Sequence, residues 1–108
     1  MQELSEAGRR PAGGSDAAWW REHLRTADLS IGTYAIPAGG EDPQEPHTED
    51  EVYIVRSGRA VLGGPHGDIA VGPGSVVFVA AGEEHRFERV EEDLVVIVIF
   101  GPAEGSAA

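Results

Sequence analysis

The sequence predicts an all-β fold, a sandwich or barrel of short antiparallel strands. From Leu29 onward apolar residues recur with period two. The runs are short and rich in Val, Ile and aromatic residues. They are separated by glycine-, proline- and acid-rich punctuation at regular spacing, which is how small β domains are written.

Taken in order, residues 1–15 (MQELSEAGRRPAGGS) are small, charged or glycine, bury little apolar surface and are expected to form a mobile arm, leaving 16–108 as the single domain. Ser15 or Asp16 can cap a short helix over Ala17–Leu24, with Arg25 suited to its C-terminal end. Trp19 and Trp20 are expected to pack outside the domain or in a subunit contact. Strands follow at Leu29–Ile36, Glu51–Arg56, Arg59–Leu62, Ile69–Val71, Ser75–Ala80, Arg86–Val90 and Leu94–Phe100. Pro37 with Gly39-Gly40, Ser57-Gly58, the segment Gly63–Gly67, Gly72-Pro73-Gly74 and Ala81–Glu84 read as turns, and Glu91-Glu92-Asp93 as a solvated hairpin turn.

With 108 residues the chain has room for one small core. Cysteine is absent, so disulfides, thiolate metal sites and cysteine nucleophiles are excluded. Lysine is absent too, which removes Schiff-base chemistry. A net charge of −11 makes nucleic acid a poor partner, because phosphate contacts need a basic face. The longest apolar run, Leu94–Phe100, is too short to span a bilayer, and the first residues lack a signal-peptide pattern, so the expected location is cytoplasmic with no membrane partner.

The chemistry concentrates around EPHTEDE, where Glu45, Glu49, Asp50 and Glu51 surround His47 at the mouth of a strand. Crowded carboxylates must either take up protons or bind positive charge. If the segment runs extended, Glu45, His47, Glu51 and Tyr53 share parity and face one side. His85 begins a later strand that a barrel can bring opposite His47. Two imidazoles and one or two carboxylates suit a first-row divalent cation, Fe, Mn, Ni, Co or Zn. His23 and His66, in the expected helix and a glycine-rich turn, are read as ordinary residues.

These residues resemble the cupin family. Gly40, His47, Glu51 and Gly58 are similar to its first motif, G(X)5HXH(X)3–4E(X)6G, and Gly74, Gly82 and His85 to its second, G(X)5PXG(X)2H(X)3N. The resemblance covers about residues 29–100. It implies a jelly-roll β-barrel with the short N-terminal arm or helix outside, a metal held by His47, Glu51 and His85, and a homodimer. The chain departs from the motifs at Glu45, where the first histidine belongs, and at Ala80 and Arg89. Glu45 either ligates the metal through a carboxylate oxygen, favouring Fe or Mn, or points away and leaves a two-His, one-carboxylate triad with open positions; the metal can also have been lost. Gln44, one residue off in parity, is a weaker competitor for that place. Tyr53 is a candidate catalytic acid or a packing aromatic.

The resemblance implies a small metal-binding cupin acting on a small oxygen-rich acid or enol, as dioxygenase, isomerase, lyase or cyclase. Besides Arg56, the basic groups of the second half are Arg59, Arg86 and Arg89, one of which can clamp a substrate carboxylate. The expected wall is apolar: Tyr34, Ile36, Phe78, Phe87 and the inward half of Val95 to Ile99. The alternative is a non-catalytic barrel that binds a metal or small molecule as a sensing or accessory module.

Overall fold

A computed structural model describes residues 1–10 and 17–107. Its elements are β1 (Trp19–Arg25), β2 (Ser30–Ile36), β3 (Asp50–Gly64), β4 (Gly67–Val71), β5 (Val76–Val79) and β6 (Arg86–Gly101). All pairings are antiparallel, in the order β1-β2-β6-β3-β4, with β5 also paired to β3. Among the described residues there is no helix, and hence none long and apolar enough to cross a membrane.

Two long strands organise the molecule. The second half of β6 and the first half of β3 pair from Asp50↔Gly101 to Val55↔Val96, and their other halves from Val61↔Glu88 to Gly63↔Arg86. The register slips between Val55 and Val61, where Gly58 adopts φ 88° and a Cβ would run into the Asp93 backbone. Such bulges bend a paired strand. Both strands therefore pass from one layer, with β1, β2 and β5, into a second with β4. The Ser57-Gly58 turn and the Glu91-Glu92-Asp93 turn expected from the sequence are instead this bend, and Glu92 lies in the ladder opposite Arg59. Four expected strands thus fuse into two.

The inner faces meet in a core of Tyr34, Ile36, Tyr53, Val55, Leu62, Phe87, Leu94, Val96, Val98 and Phe100. Tyr53 of one layer meets Phe87 of the other edge to face, with ring centroids 4.8 Å apart. The expected apolar wall is present except for Phe78. That residue pairs with Val52 on the outer face and is 62% exposed, because Val77 and Val79 take the inward parity of β5.

The helix expected over Ala17–Leu24 is strand β1. Two adjacent tryptophans favour a pleated surface, and Trp19↔Ala35 through Arg25↔Ser30 add this segment to the edge of β2. Its proposed caps, Ser15 and Asp16, lie outside the described residues. Trp20 does not sit outside: it packs on the core, edge to face with Tyr34 and Phe100 at 6.4 and 6.1 Å. Gly32 leaves the room, since a Cβ there would strike the indole. Of the expected arm, Gly8 N donates to Thr33 Oγ1 at 2.9 Å, and Arg10 pairs with Asp93. His23 lies on β1 with its Nε2 2.6 Å from the same threonine hydroxyl, and burial, followed by Arg21, lowers its pKa.

Candidate metal and acid–base site

Three segments build the site: the loop 41–49, the inner face of β3, and the turn entering β6. Two hydrogen bonds tie the loops together, Gly82 N to the His47 carbonyl at 2.7 Å and Ala81 N to Asp50 Oδ1 at 2.9 Å. Strand parity places Glu51 and Tyr53 inward, where they are 1% and 0% exposed.

His85 reaches both of them. Its Nδ1 lies 2.8 Å from the Glu83 carbonyl, which can only accept, so Nδ1 carries a proton. Its Nε2 stands 3.0 Å from Glu51 Oε1 and 3.0 Å from the Tyr53 hydroxyl. The contact with Tyr53 is a hydrogen bond. The one with Glu51 is an ion-pair contact without hydrogen-bond alignment, and neither oxygen of Glu51 has a hydrogen-bond partner. Burial acts to lower the His85 pKa, but Glu51 and the Glu83 carbonyl outweigh it and the net direction is up. Two lone pairs cannot face each other at this distance, so the Glu51–His85 gap calls for a proton or a cation.

Tyr53 extends the network outward by donating to Gln44 Oε1 at 2.9 Å. Burial, then the nearby Glu51 charge, drives its pKa far up, so it remains a neutral hydroxyl. Behind it Asp42, 3% exposed, accepts from Tyr34 OH at 2.7 Å, Phe87 N at 2.9 Å and Gln44 N at 3.0 Å. Asp42 therefore turns Gln44 toward the interior and locks the loop to β6. Replacing Asp42 with Ala strands buried donors, each costing about 1–3 kcal/mol. The expected result is a clear fall in the urea midpoint with an unchanged m-value.

The residues singled out from sequence thus fall in three places. Glu51, Tyr53 and His85 meet. His47 lies beside Phe100, ring centroids 4.7 Å apart, with Nδ1 3.5 Å from Glu104 Oε2 and with Nε2 buried and unpartnered. Glu45 is exposed at the rim, and Gln44 holds the inward place. Among the described residues, no three His, Asp or Glu side chains are grouped as a metal cluster. Asp42 and Glu104 were not anticipated. Asp42 is a lone acid between turn residues, and Glu104 lies past the last strand, so neither is marked by spacing.

A groove of about 460 Å³ opens beside His85, lined among others by Gln44, Glu45, Asp68, Glu84, Arg86 and Glu88. Of the three arginines weighed as clamps, Arg86 alone lines it. Arg59 lies over Gly72 and Arg89 near Asp68 at 3.7 Å, while Arg56 packs against Gly8.

An antiparallel jelly roll with a Glu–His pair on its inner face defines a cupin. The family model described as "Cupin domain" matches residues 32–100, and the chain belongs to that family. It is 47% identical over 83 residues to an uncharacterised protein of Streptomyces coelicolor, covering 77% of this chain and 79% of that one. Its fold is similar to an RmlC-like cupin of Desulfovibrio desulfuricans, with TM-score 0.80, 17% identity, and 95% and 99% of the two chains covered. It is also similar to the DMSP lyase DddQ of Ruegeria pomeroyi, with TM-score 0.73, 20% identity, and 94% of this chain but 54% of that one covered. At these identities the solved structures share the fold alone.

Proposed function

We propose that the chain is a metal-dependent cupin in which Glu51, His85 and His47 hold a divalent first-row cation, and that it moves a proton on a small, oxygen-rich substrate. The observation that carries this reading is the carboxylate of Glu51, 1% exposed, with neither oxygen hydrogen-bonded and with the ion-pair contact to His85 at 3.0 Å beside it. A buried charge is retained only when something compensates it. Among the described residues four buried side-chain atoms lack a hydrogen-bond partner, both oxygens of Glu51, Nε2 of His47 and Oε1 of Glu49, and carboxylate oxygen and imidazole nitrogen are the donor types that Mn, Fe, Co, Ni or Zn accepts. The residues therefore fit such an ion in chemistry, and Glu45 at the rim is left as a charge facing the groove. When bound, the cation supplies Lewis acidity to a substrate oxygen.

The rest falls to the chain's own residues. Tyr53, neutral and donating to Gln44 Oε1, is a hydroxyl that can give its proton to a substrate atom; because His85 Nε2 is then a metal donor and Gln44 Oε1 only accepts, the proton is recovered from the product or from water in the groove. Arg86 is the groove's cation for an anionic oxygen. Inward polar groups beyond the metal donors, Gln44, Tyr53 and Asp42, favour catalysis over a passive binding shell. They support the isomerase and lyase classes, and the likeness to a DMSP lyase agrees with this as a fold. Metal analysis of protein purified without a histidine tag tests the first half. About one equivalent per chain is expected, removable by chelator with a fall in Tm. Folded protein that takes up none of the five ions at micromolar concentration overturns the reading.

A further inference from the structure

The segment after β6 is latched to the barrel on both sides of Glu104. Glu104 N donates to Ser30 Oγ at 2.9 Å, and Ala103 is 2% exposed. Further on, Ser106 N closes a turn onto the Ala103 carbonyl at 3.0 Å, and Ala107 N donates to Oε2 of the buried Glu49 at 3.1 Å. These contacts hold the Glu104 carboxylate where its Oε2 lies 3.5 Å from His47 Nδ1. Phe100 fixes the ring from another side, at an interplanar angle of 64°.

The consequence falls on the opposite nitrogen. A neutral imidazole has one N–H, and a carboxylate beside Nδ1 keeps the proton there, leaving Nε2 with the lone pair. That Nε2 is buried without a partner. Metal-ligating histidines typically have the second nitrogen donating to a carboxylate or a carbonyl, and Glu104 Oε2 stands on that side of His47 as an ion-pair contact at 3.5 Å, outside hydrogen-bond alignment. His85 has a closer, hydrogen-bonded partner on its Nδ1, the Glu83 carbonyl at 2.8 Å.

We propose that Glu104 is a positioning residue, holding His47 as the Nδ1–H tautomer and presenting Nε2 as a metal donor, so that the C-terminal segment completes the metal site. This rests on the metal reading above. The test compares the parent, Glu104→Ala, Glu104→Gln and Glu104→Asp. One measurement is calorimetric titration with Mn²⁺ and Ni²⁺; the other is long-range ¹⁵N–¹H spectra of the metal-free proteins. Glu104→Ala is expected to bind about 10–100-fold more weakly and to lose the single Nδ1–H tautomer of His47. Glu104→Gln, which keeps an oxygen acceptor, is expected to recover most of the affinity. A purely structural role would lower Tm without moving the tautomer. If the parent binds and Glu104→Ala binds equally, or keeps the tautomer, the proposal is overturned while the metal reading stands. A folded parent that binds neither ion, and none of Fe²⁺, Co²⁺ and Zn²⁺ in the same titration, overturns both. Should the alanine variant fail to fold, Glu104→Asp decides: its shorter side chain withdraws the carboxylate, weaker binding is expected, and parental affinity overturns the proposal.

Discussion

Glu51→Gln is expected to remove metal uptake while leaving the metal-free protein at least as stable as the parent. The carboxylate is 1% exposed, has no hydrogen-bond partner, and is compensated only by its contact with His85. Buried charge of this kind is costly, and exchanging a buried ionic group for a neutral one of similar shape is often neutral or stabilising. Sites kept for function are where proteins tolerate such strain. Metal affinity should fall by more than about a hundredfold, beyond what the loss of an outer partner causes. The parent should gain about 2.7 kcal/mol at a ligand concentration a hundredfold above Kd, and the variant should gain nothing. Paired thermal melts with and without metal read both effects. A variant that melts far below the metal-free parent yet still binds would make Glu51 a structural residue.

How much of this was legible depends on whether the chain is regular at each place. Glu51 and Tyr53 lie on a strand, where period two forces both inward, and His85 follows a glycine turn at the spacing of a known motif. Those three meet. The same parity argument does not carry to Glu45, because the segment EDPQEPH is not a strand. Pro43 and Pro46 interrupt it, and Asp42 Oδ1 accepts from Gln44 N, which turns Gln44 inward and Glu45 out. His47 could be placed in the loop but not oriented, since its neighbour Glu104 is 57 residues away in a tail with no pattern. Apparent turns at 57–58 and 91–93 hid the continuity of β3 and β6. A bulge and a turn use the same residues, and only pairing distinguishes them.

That bulge carries the other large expected effect, a severe loss of stability in Gly58→Ala. Gly58 sits at φ 88°, and an added Cβ would overlap the Asp93 carbonyl and crowd the Leu94 Cα at 2.7 Å. The obstacle is backbone, so no rotamer change relieves it. The left-handed conformation alone costs about 1–3 kcal/mol, and forcing the backbones apart adds about 1–3 kcal/mol more. Domains of this kind have only about 5–15 kcal/mol in total. The damage is also placed badly, because the bend sends β3 and β6 from one layer into the other and so brings Phe87 onto Tyr53 and His85 onto Glu51. Gly39→Ala and Gly74→Ala are the controls, with φ of 74° and 91° and nothing within 4 Å of the new methyl. They should show the conformational cost alone. In urea unfolding, Gly58→Ala is expected to lose at least twice the free energy of either control, or not to fold. Equal losses in all three would mean that the layers can part at Gly58 without penalty, and that the bend does not hold the site together.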